Sequence, residues 1–208
     1  MRKNITKILL DIKAVSLRQT DDLFTWASGI KSPIYCDNRL IISYPEYREI
    51  VADEFVDIIR NRYPDVELIA ATSTAGIPHG AWVAQKMKLP MVYVRSTSKG
   101  HGKKNQIEGK VEKGQKVVLI EDLISTGNSS FQAVTALREA GLDLLGVVAI
   151  FSYNFRSSEE LFGSNNVDYT TITDYNTLLP LAVELGYIRE EQLGILSQWS
   201  ANPRIFTE

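Results

Sequence analysis

One cysteine, Cys36, stands among 208 residues. A single thiol excludes an intramolecular disulfide framework and a zinc cluster built on cysteines, and it fits a reducing compartment such as the cytoplasm. Long apolar runs are missing too. The basic start, Met1-Arg2-Lys3, leads only to Ile8-Leu9-Leu10 before Asp11 and Lys13 break the run. A membrane span needs about 20 apolar residues, so no membrane partner is expected. There is no internal repeat and no low-complexity segment. A formal charge of −2 gives no general attraction for nucleic acid. What remains, 44% hydrophobic and 23% charged residues, is the make-up of one ordinary soluble core.

The most informative stretch is Val117-Val118-Leu119-Ile120-Glu121-Asp122-Leu123-Ile124-Ser125-Thr126-Gly127-Asn128-Ser129-Ser130. Its apolar opening suits a central parallel strand buried on both faces. Two carboxylates stand at the strand's carboxyl end. A small-residue turn follows, and Phe131, Val134, Ala136 and Leu137 continue at helical spacing. Free N–H groups at a helix start favour a phosphate, and small side chains let it approach. Gly127 permits a backbone shape that other residues resist. The two acids would repel a phosphate in direct contact but suit sugar hydroxyls. Residues 117–130 therefore read as a sugar-phosphate site, with phosphate on Ser125–Ser129 and ring hydroxyls on Glu121 and Asp122. No lysine follows a glycine in this turn, which excludes a Walker A loop, and the G-x-G-x-x-G fingerprint is absent from it.

Elsewhere the pattern alternates strands with helices. Ile5, Ile8, Leu9 and Ile12 predict an N-terminal helix capped by Asn4. Residues 24–38 predict a β-hairpin around Ser28-Gly29. Pro45 opens a helix with Tyr47, Ile50, Val51, Phe55, Ile58 and Ile59 on one face. Strands are predicted at 68–71, 90–95, 144–151 and 167–172. Thr173 or Asp174 caps the next helix, Gly186 ends it, and a last helix spans about 189–199. Between 72 and 80 lies a second strand–turn–helix junction, where Thr74, Ala75 and Gly76 could offer backbone donors to an anion. His79, on the helix beyond, reads as structural. From 95 to 104 the chain carries Arg95, Lys99, Lys103 and Lys104 with His101 and no acid. A basic, glycine-hinged loop of this kind can close over a polyanion. No residue pair suggests a protein nucleophile with its base.

Residues 117–130 resemble the 5-phosphoribosyl 1-diphosphate (PRPP) motif of type I phosphoribosyltransferases, with Glu121 where many members have aspartate. The resemblance implies PRPP contacts from Glu121, Asp122, Leu123, Ile124, Ser125, Thr126, Gly127, Asn128 and Ser129, with Ser125 also touching the base in orotate-specific members. The run Phe24-Thr25-Trp26-Ala27-Ser28-Gly29-Ile30-Lys31-Ser32-Pro33-Ile34-Tyr35 is similar to the orotate-side hairpin of orotate phosphoribosyltransferases, with Ala27 where many members have lysine. The 72–80 junction takes the place of their diphosphate loop (Thr74, Ala75, Gly76), for which the family implies a cis peptide, placed here at Ser73–Thr74. Ser96–Gly109 resembles their mobile catalytic loop. There Arg95, Lys99 and His101 match diphosphate-binding positions, and Lys99, His101 and Asp122 would be the catalytic residues. An arginine that some members place just past the 144–151 strand has no counterpart at that position; Arg156 lies farther on.

The resemblance implies one domain over 1–208: a mainly parallel twisted α/β sheet flanked by helices (45–208), under a small N-terminal hood (1–44). It further implies Mg2+ as cofactor, held by PRPP and water with no dedicated protein ligands. PRPP and orotate are the expected partners, and loop 95–109 would be shared across a homodimer. Two other readings stay open from the sequence: a phosphoribosyltransferase for a different base, and a regulator that binds PRPP without turnover.

Overall fold

The computed structural model describes residues 2–18, 22–26, 29–96 and 106–207. In chain order these form α1 (Arg2–Asp11), the short strands β1 (Val15–Leu17), β2 (Phe24–Thr25), β3 (Lys31–Ser32) and β4 (Ile34–Cys36), and a 3-10 turn (Asn38–Ser43). Next come α2 (Pro45–Arg62), β5 (Leu68–Thr72), α3 (Gly76–Met87), β6 (Met91–Val94), β7 (Ile107–Glu108), β8 (Lys116–Ile124) and α4 (Asn128–Glu139). The rest is β9 (Asp143–Ser152), α5 (Arg156–Ser164), β10 (Tyr169–Asp174), α6 (Tyr175–Glu184), a 3-10 turn (Glu190–Gln192) and α7 (Leu193–Ala201).

The main sheet has the order β10-β9-β8-β5-β6-β7. All its pairs are parallel except β6–β7, which is antiparallel at the edge. The near-continuous apolar runs explain why β5 and β8 sit centrally. Leu68 to Ala71 and Val117 to Ile120 are fully buried, as strands covered on both faces must be. Alternate residues serve the two faces. Ile69, Ala71, Val118 and Ile120 join one core cluster with residues of α1, α2, α6 and α7. Leu68, Ala70, Val117 and Leu119 join the other, with Val134 and Leu137 of α4 and Phe162 of α5. Burying each such large side chain contributes about 1.5–3 kcal/mol.

The hood forms two small antiparallel ribbons. β2 pairs with β3, as the hairpin pattern predicts, and β1 pairs with β4. Its residues Ile5, Leu9, Ile34 and Ile41 share the first core cluster with α2 and α6, so hood and core pack as one body. Asn4 lies inside α1 rather than capping it. Asp174, not Thr173, caps α6, accepting from Thr177 N–H at 2.8 Å. α5, β1 and β7 have no counterpart among the sequence expectations. α5 is nine residues with a short apolar stripe, and β7 is a two-residue edge strand paired to Tyr93 and Val94.

Candidate active site

β8 does not stop at Ile120. It continues through both acids to Ile124, because Glu121, Leu123 and Ile124 still pair with Ala149, Phe151 and Ser152 of β9. Gly127 then adopts a φ of +81° and starts α4, a left-handed turn that glycine takes at little cost. Across β5, the chain leaves Thr72 through a cis Ser73–Thr74 peptide and enters α3 at Gly76. These two junctions lie side by side because β5 and β8 are neighbours. Two helix starts thus face one crevice at the carboxyl edge of the sheet, where open α/β sheets bind ligands.

The crevice is a cavity of about 490 Å3. One end is walled by Ser73, Thr74, Ala75, Arg95 and Ser96, and the floor by Thr72, Glu121, Asp122, Leu123, Ser125, Thr126, Gly127 and Ser129. The other end is the hood: Trp26, Tyr35, Cys36, Asp37 and Arg39, with Tyr153 from beyond β9. Of the sequence-predicted residues that the structure describes, all but three line this cavity. Ile124 is fully buried in the second core cluster and Asn128 is solvent-exposed, donating to Thr126 Oγ1 at 3.2 Å; neither lines the cavity. Gly76 sits behind the wall, where an added Cβ would come within 2.8 Å of the Ile120 carbonyl oxygen. Lys99 and His101 lie outside the described residues.

The two acids differ. Glu121 is 5% exposed, lines the cavity, and its carboxylate accepts three hydrogen bonds. Oε1 accepts from Thr72 Oγ1 at 2.6 Å and from the Asp122 N–H at 3.1 Å, and Oε2 accepts from Ser130 Oγ at 2.8 Å. Asp122 is half-buried on the cavity floor, and its carbonyl accepts from Asn38 Nδ2 at 2.7 Å, tying hood to floor. Burial, followed by the adjacent Asp122 charge, raises the Glu121 carboxyl to about 8; burial likewise raises Asp122. Two adjacent buried carboxyls do not both ionise readily.

Cations sit at opposite ends. Arg95 Nη1 is buried without a hydrogen-bond partner among the described residues, with Glu108 Oε1 3.6 Å away. A buried guanidinium donor beside a helix start is suited to an oxyanion. Arg39 grips Asp37 through Nε (2.6 Å) and Nη2 (2.7 Å), which leaves Nη1 for a ligand. Arg156 is away from the cavity, on α5, paired with Glu160 at 2.7 Å.

The hood end is aromatic. Trp26 packs on Tyr153 with ring centroids 4.9 Å apart, and fully buried Trp199 of α7 backs both. Trp199 also donates to the Lys31 carbonyl at 3.0 Å, which pins α7 to the hairpin. Cys36 lies on this wall, but burial pushes its thiol well above its ordinary pKa, so it stays a neutral packing group and not a nucleophile. His79 is buried against Phe55 and Trp82, in keeping with a structural role. Arg39, Thr72, Ser130 and Tyr153 were not singled out from sequence. The contacts of Thr72, Ser130 and Tyr153 span 9 to 117 residues; Arg39 pairs locally with Asp37 and closes the hairpin stretch that carries the orotate resemblance.

A family model described as a phosphoribosyl transferase domain matches residues 44–176. Orotate phosphoribosyltransferases of Halalkalibacterium halodurans and Fusobacterium nucleatum are each 55% identical to this chain over 203 residues. The matches cover 98% and 97% of this chain and 96% of each relative. Among solved structures, the orotate phosphoribosyltransferase of Aeropyrum pernix gives a TM-score of 0.76 at 26% identity, covering 88% of this chain and 99% of that one. The UMP synthase of Leishmania donovani gives 0.80 at 29% identity, covering 95% of this chain and 42% of that longer one. The hood, the paired acids, the two strand–helix junctions and these matches agree: the chain belongs to the orotate phosphoribosyltransferases of the phosphoribosyltransferase family.

Proposed function

We propose that the chain joins PRPP to orotate, releasing diphosphate and giving orotidine 5′-monophosphate for de novo UMP synthesis, as a Mg2+-dependent cytoplasmic homodimer. The observation that carries the reading is the single cavity with an anion-binding junction at each of two helix starts, an acid between them and an aromatic, cationic end under the hood. PRPP has two anionic groups on one ribose, and orotate is a flat anion. The 125–129 turn would take the 5′-phosphate. The 74–76 junction and Arg95 would take the diphosphate. Trp26, Tyr35 and Tyr153 would hold the base, with Arg39 as the cation beside its carboxylate.

The bond from ribose C1 to the diphosphate oxygen breaks with its electron pair leaving on diphosphate. Orotate N1 supplies the pair for the new C–N bond and gives up its proton, which the departing diphosphate can accept. Asp122 stands where positive charge develops on the ribose, and Arg95 where negative charge grows, so catalysis rests on positioning and charge stabilisation. Lys99 and His101 would add cations from loop 95–109, whose base is fixed by the Arg95 N–H donating to the Gln106 carbonyl at 2.8 Å. In this reading the loop also reaches the neighbouring subunit. For Mg2+, the open carboxylate on the cavity floor is Asp122, which suits an ion carried in by PRPP and kept mostly on its oxygens and water. Bound, the ion would screen the diphosphate charge.

The test is to mix the protein with Mg2+, PRPP and orotate and follow orotate ultraviolet absorbance, with adenine, guanine, hypoxanthine and uracil as controls. Orotate should disappear at the same rate as diphosphate forms. Preference for another base, or PRPP binding with no diphosphate release for any base, would overturn the proposal.

A further inference from the structure

No residue of α7 lines the cavity, yet the helix sits directly behind the wall assigned to the base. Trp199 is fully buried. Its ring meets Trp26 and Tyr153 edge-on, with centroids 5.7 and 5.9 Å away, and both of those rings line the cavity. Hydrogen bonds hold the same contact from two sides. The Trp199 Nε1–H donates to the Lys31 carbonyl of β3 at 3.0 Å, and Ser200 Oγ donates to the Tyr153 carbonyl at 3.3 Å. α7 is itself anchored by the buried Tyr175 hydroxyl of α6, which donates to the Leu196 carbonyl at 3.1 Å. The two halves of the wall, one from the hood and one from beyond β9, thus rest on one side chain near the far end of the chain.

We propose that Trp199 is a positioning residue for the base: it holds Trp26 and Tyr153 in one arrangement, so that α7 sets affinity for the orotate ring and leaves the ribose-phosphate end of the site unaffected. This rests on the reading above, which puts the base against Trp26 and Tyr153. A flat ring gains from an aromatic wall that is already in place, because ordering loose side chains on binding costs affinity. Trp26 is only half-buried and follows β2, a strand of two residues paired with two of β3. So short a ribbon has little stability of its own, and Trp199 supplies packing that the β2–β3 pairing lacks. The phosphate end is carried differently. α4, which follows the 125–129 turn, packs in the second core cluster through Val134 and Leu137, whereas Trp199 belongs to the first.

The test compares wild type with Trp199→Leu, Trp199→Phe, Ser200→Ala and a control, Phe55→Leu, by isothermal titration with orotidine 5′-monophosphate and with ribose 5-phosphate. The two ligands share the sugar phosphate and differ by the base. Trp199→Leu should weaken orotidine 5′-monophosphate about tenfold and ribose 5-phosphate less than about twofold. Trp199→Phe keeps a ring and loses the donor to Lys31; it should cost about threefold on orotidine 5′-monophosphate alone, as should Ser200→Ala. In steady-state kinetics the KM for orotate should rise by the same factors, with kcat and the KM for PRPP within about twofold. If Trp199→Leu does not fold, Trp199→Phe and Ser200→Ala decide. Phe55, fully buried in α2 against His79, tests lost stability: Phe55→Leu should lower Tm and leave both ligands bound as before. Equal weakening of both ligands by the Trp199 variants would make α7 a support of the whole fold, and unchanged binding of both would free the wall from α7; either overturns the proposal. So would selective loss of orotidine 5′-monophosphate in Phe55→Leu. Wild type that binds the two ligands equally would remove the base wall itself, and with it the reading on which this rests.

Discussion

Gly76→Ala is the substitution whose consequence the structure defines most closely. The new Cβ would sit 2.8 Å from the Ile120 carbonyl oxygen and 2.8 Å from Thr72 Oγ1. Neither can retreat easily. The carbonyl belongs to the central strand, and the hydroxyl is held by Glu121. Overpacking of this kind costs about 1–3 kcal/mol, against a helix gain of roughly 0.5–1 kcal/mol for replacing glycine. The net loss is at most about 2.5 kcal/mol and centres near 1 kcal/mol, or a Tm lowered by about 2–4 °C in a chain of this size. Since the displaced element is the start of α3, PRPP affinity should fall with it. Gly163→Ala is the control: nothing lies within 4 Å of its added Cβ, and it sits in α5. That variant should melt at or slightly above the wild-type temperature. Differential scanning calorimetry and PRPP titration of both would decide. A Gly76→Ala protein as stable as Gly163→Ala, binding PRPP normally, would refute the close packing of α3 on β8.

Asp122→Asn should lower kcat by about a hundredfold, the scale of one lost electrostatic contact to a transition state. Tm should hold or rise, because burial already disfavours the charged form; steady-state kinetics with unchanged kcat would exclude Asp122 from the chemistry. Arg39→Ala should raise the KM for orotate about tenfold while PRPP affinity stays put, and unchanged orotate KM would move the carboxylate partner elsewhere. His79 gives a pH signature. Burial lowers its pKa from 6.5 to about 4, so the unfolded chain binds more protons between those values. The stability contributed by the neutral ring is complete above about pH 6.5 and is lost as pH falls through about 4, up to about 3 kcal/mol. His79→Phe should therefore be more stable relative to wild type at pH 4.5 than at pH 7.5 in urea titrations, and an equal difference at both would contradict the assignment.

Local pattern carried much of this protein. The apolar run 117–120 can be satisfied only by burial on both faces, so it forecast the central strand. Gly127 was legible because a left-handed turn before a helix favours glycine whatever surrounds it. The cis Ser73–Thr74 bond followed from family resemblance and not from the residues themselves. What pattern could not supply was anything set by distance along the chain. Glu121 and Asp122 are adjacent acids of nearly equal chemistry, and in sequence both looked like sugar ligands. Only the approach of Thr72 and Ser130, 49 and 9 residues away, gives the Glu121 carboxylate two hydroxyl partners and encloses it more deeply than its neighbour. Arg39 likewise gained its place when β4 paired with β1 and carried the hood over the sheet edge. Periodicity and turn chemistry are properties of a few neighbouring residues, so the sequence determined the main strands and helices and the two strand–helix junctions. Which side chain is enclosed and which stays open depends on what packs against it from elsewhere, and that was settled only when the chain closed on itself.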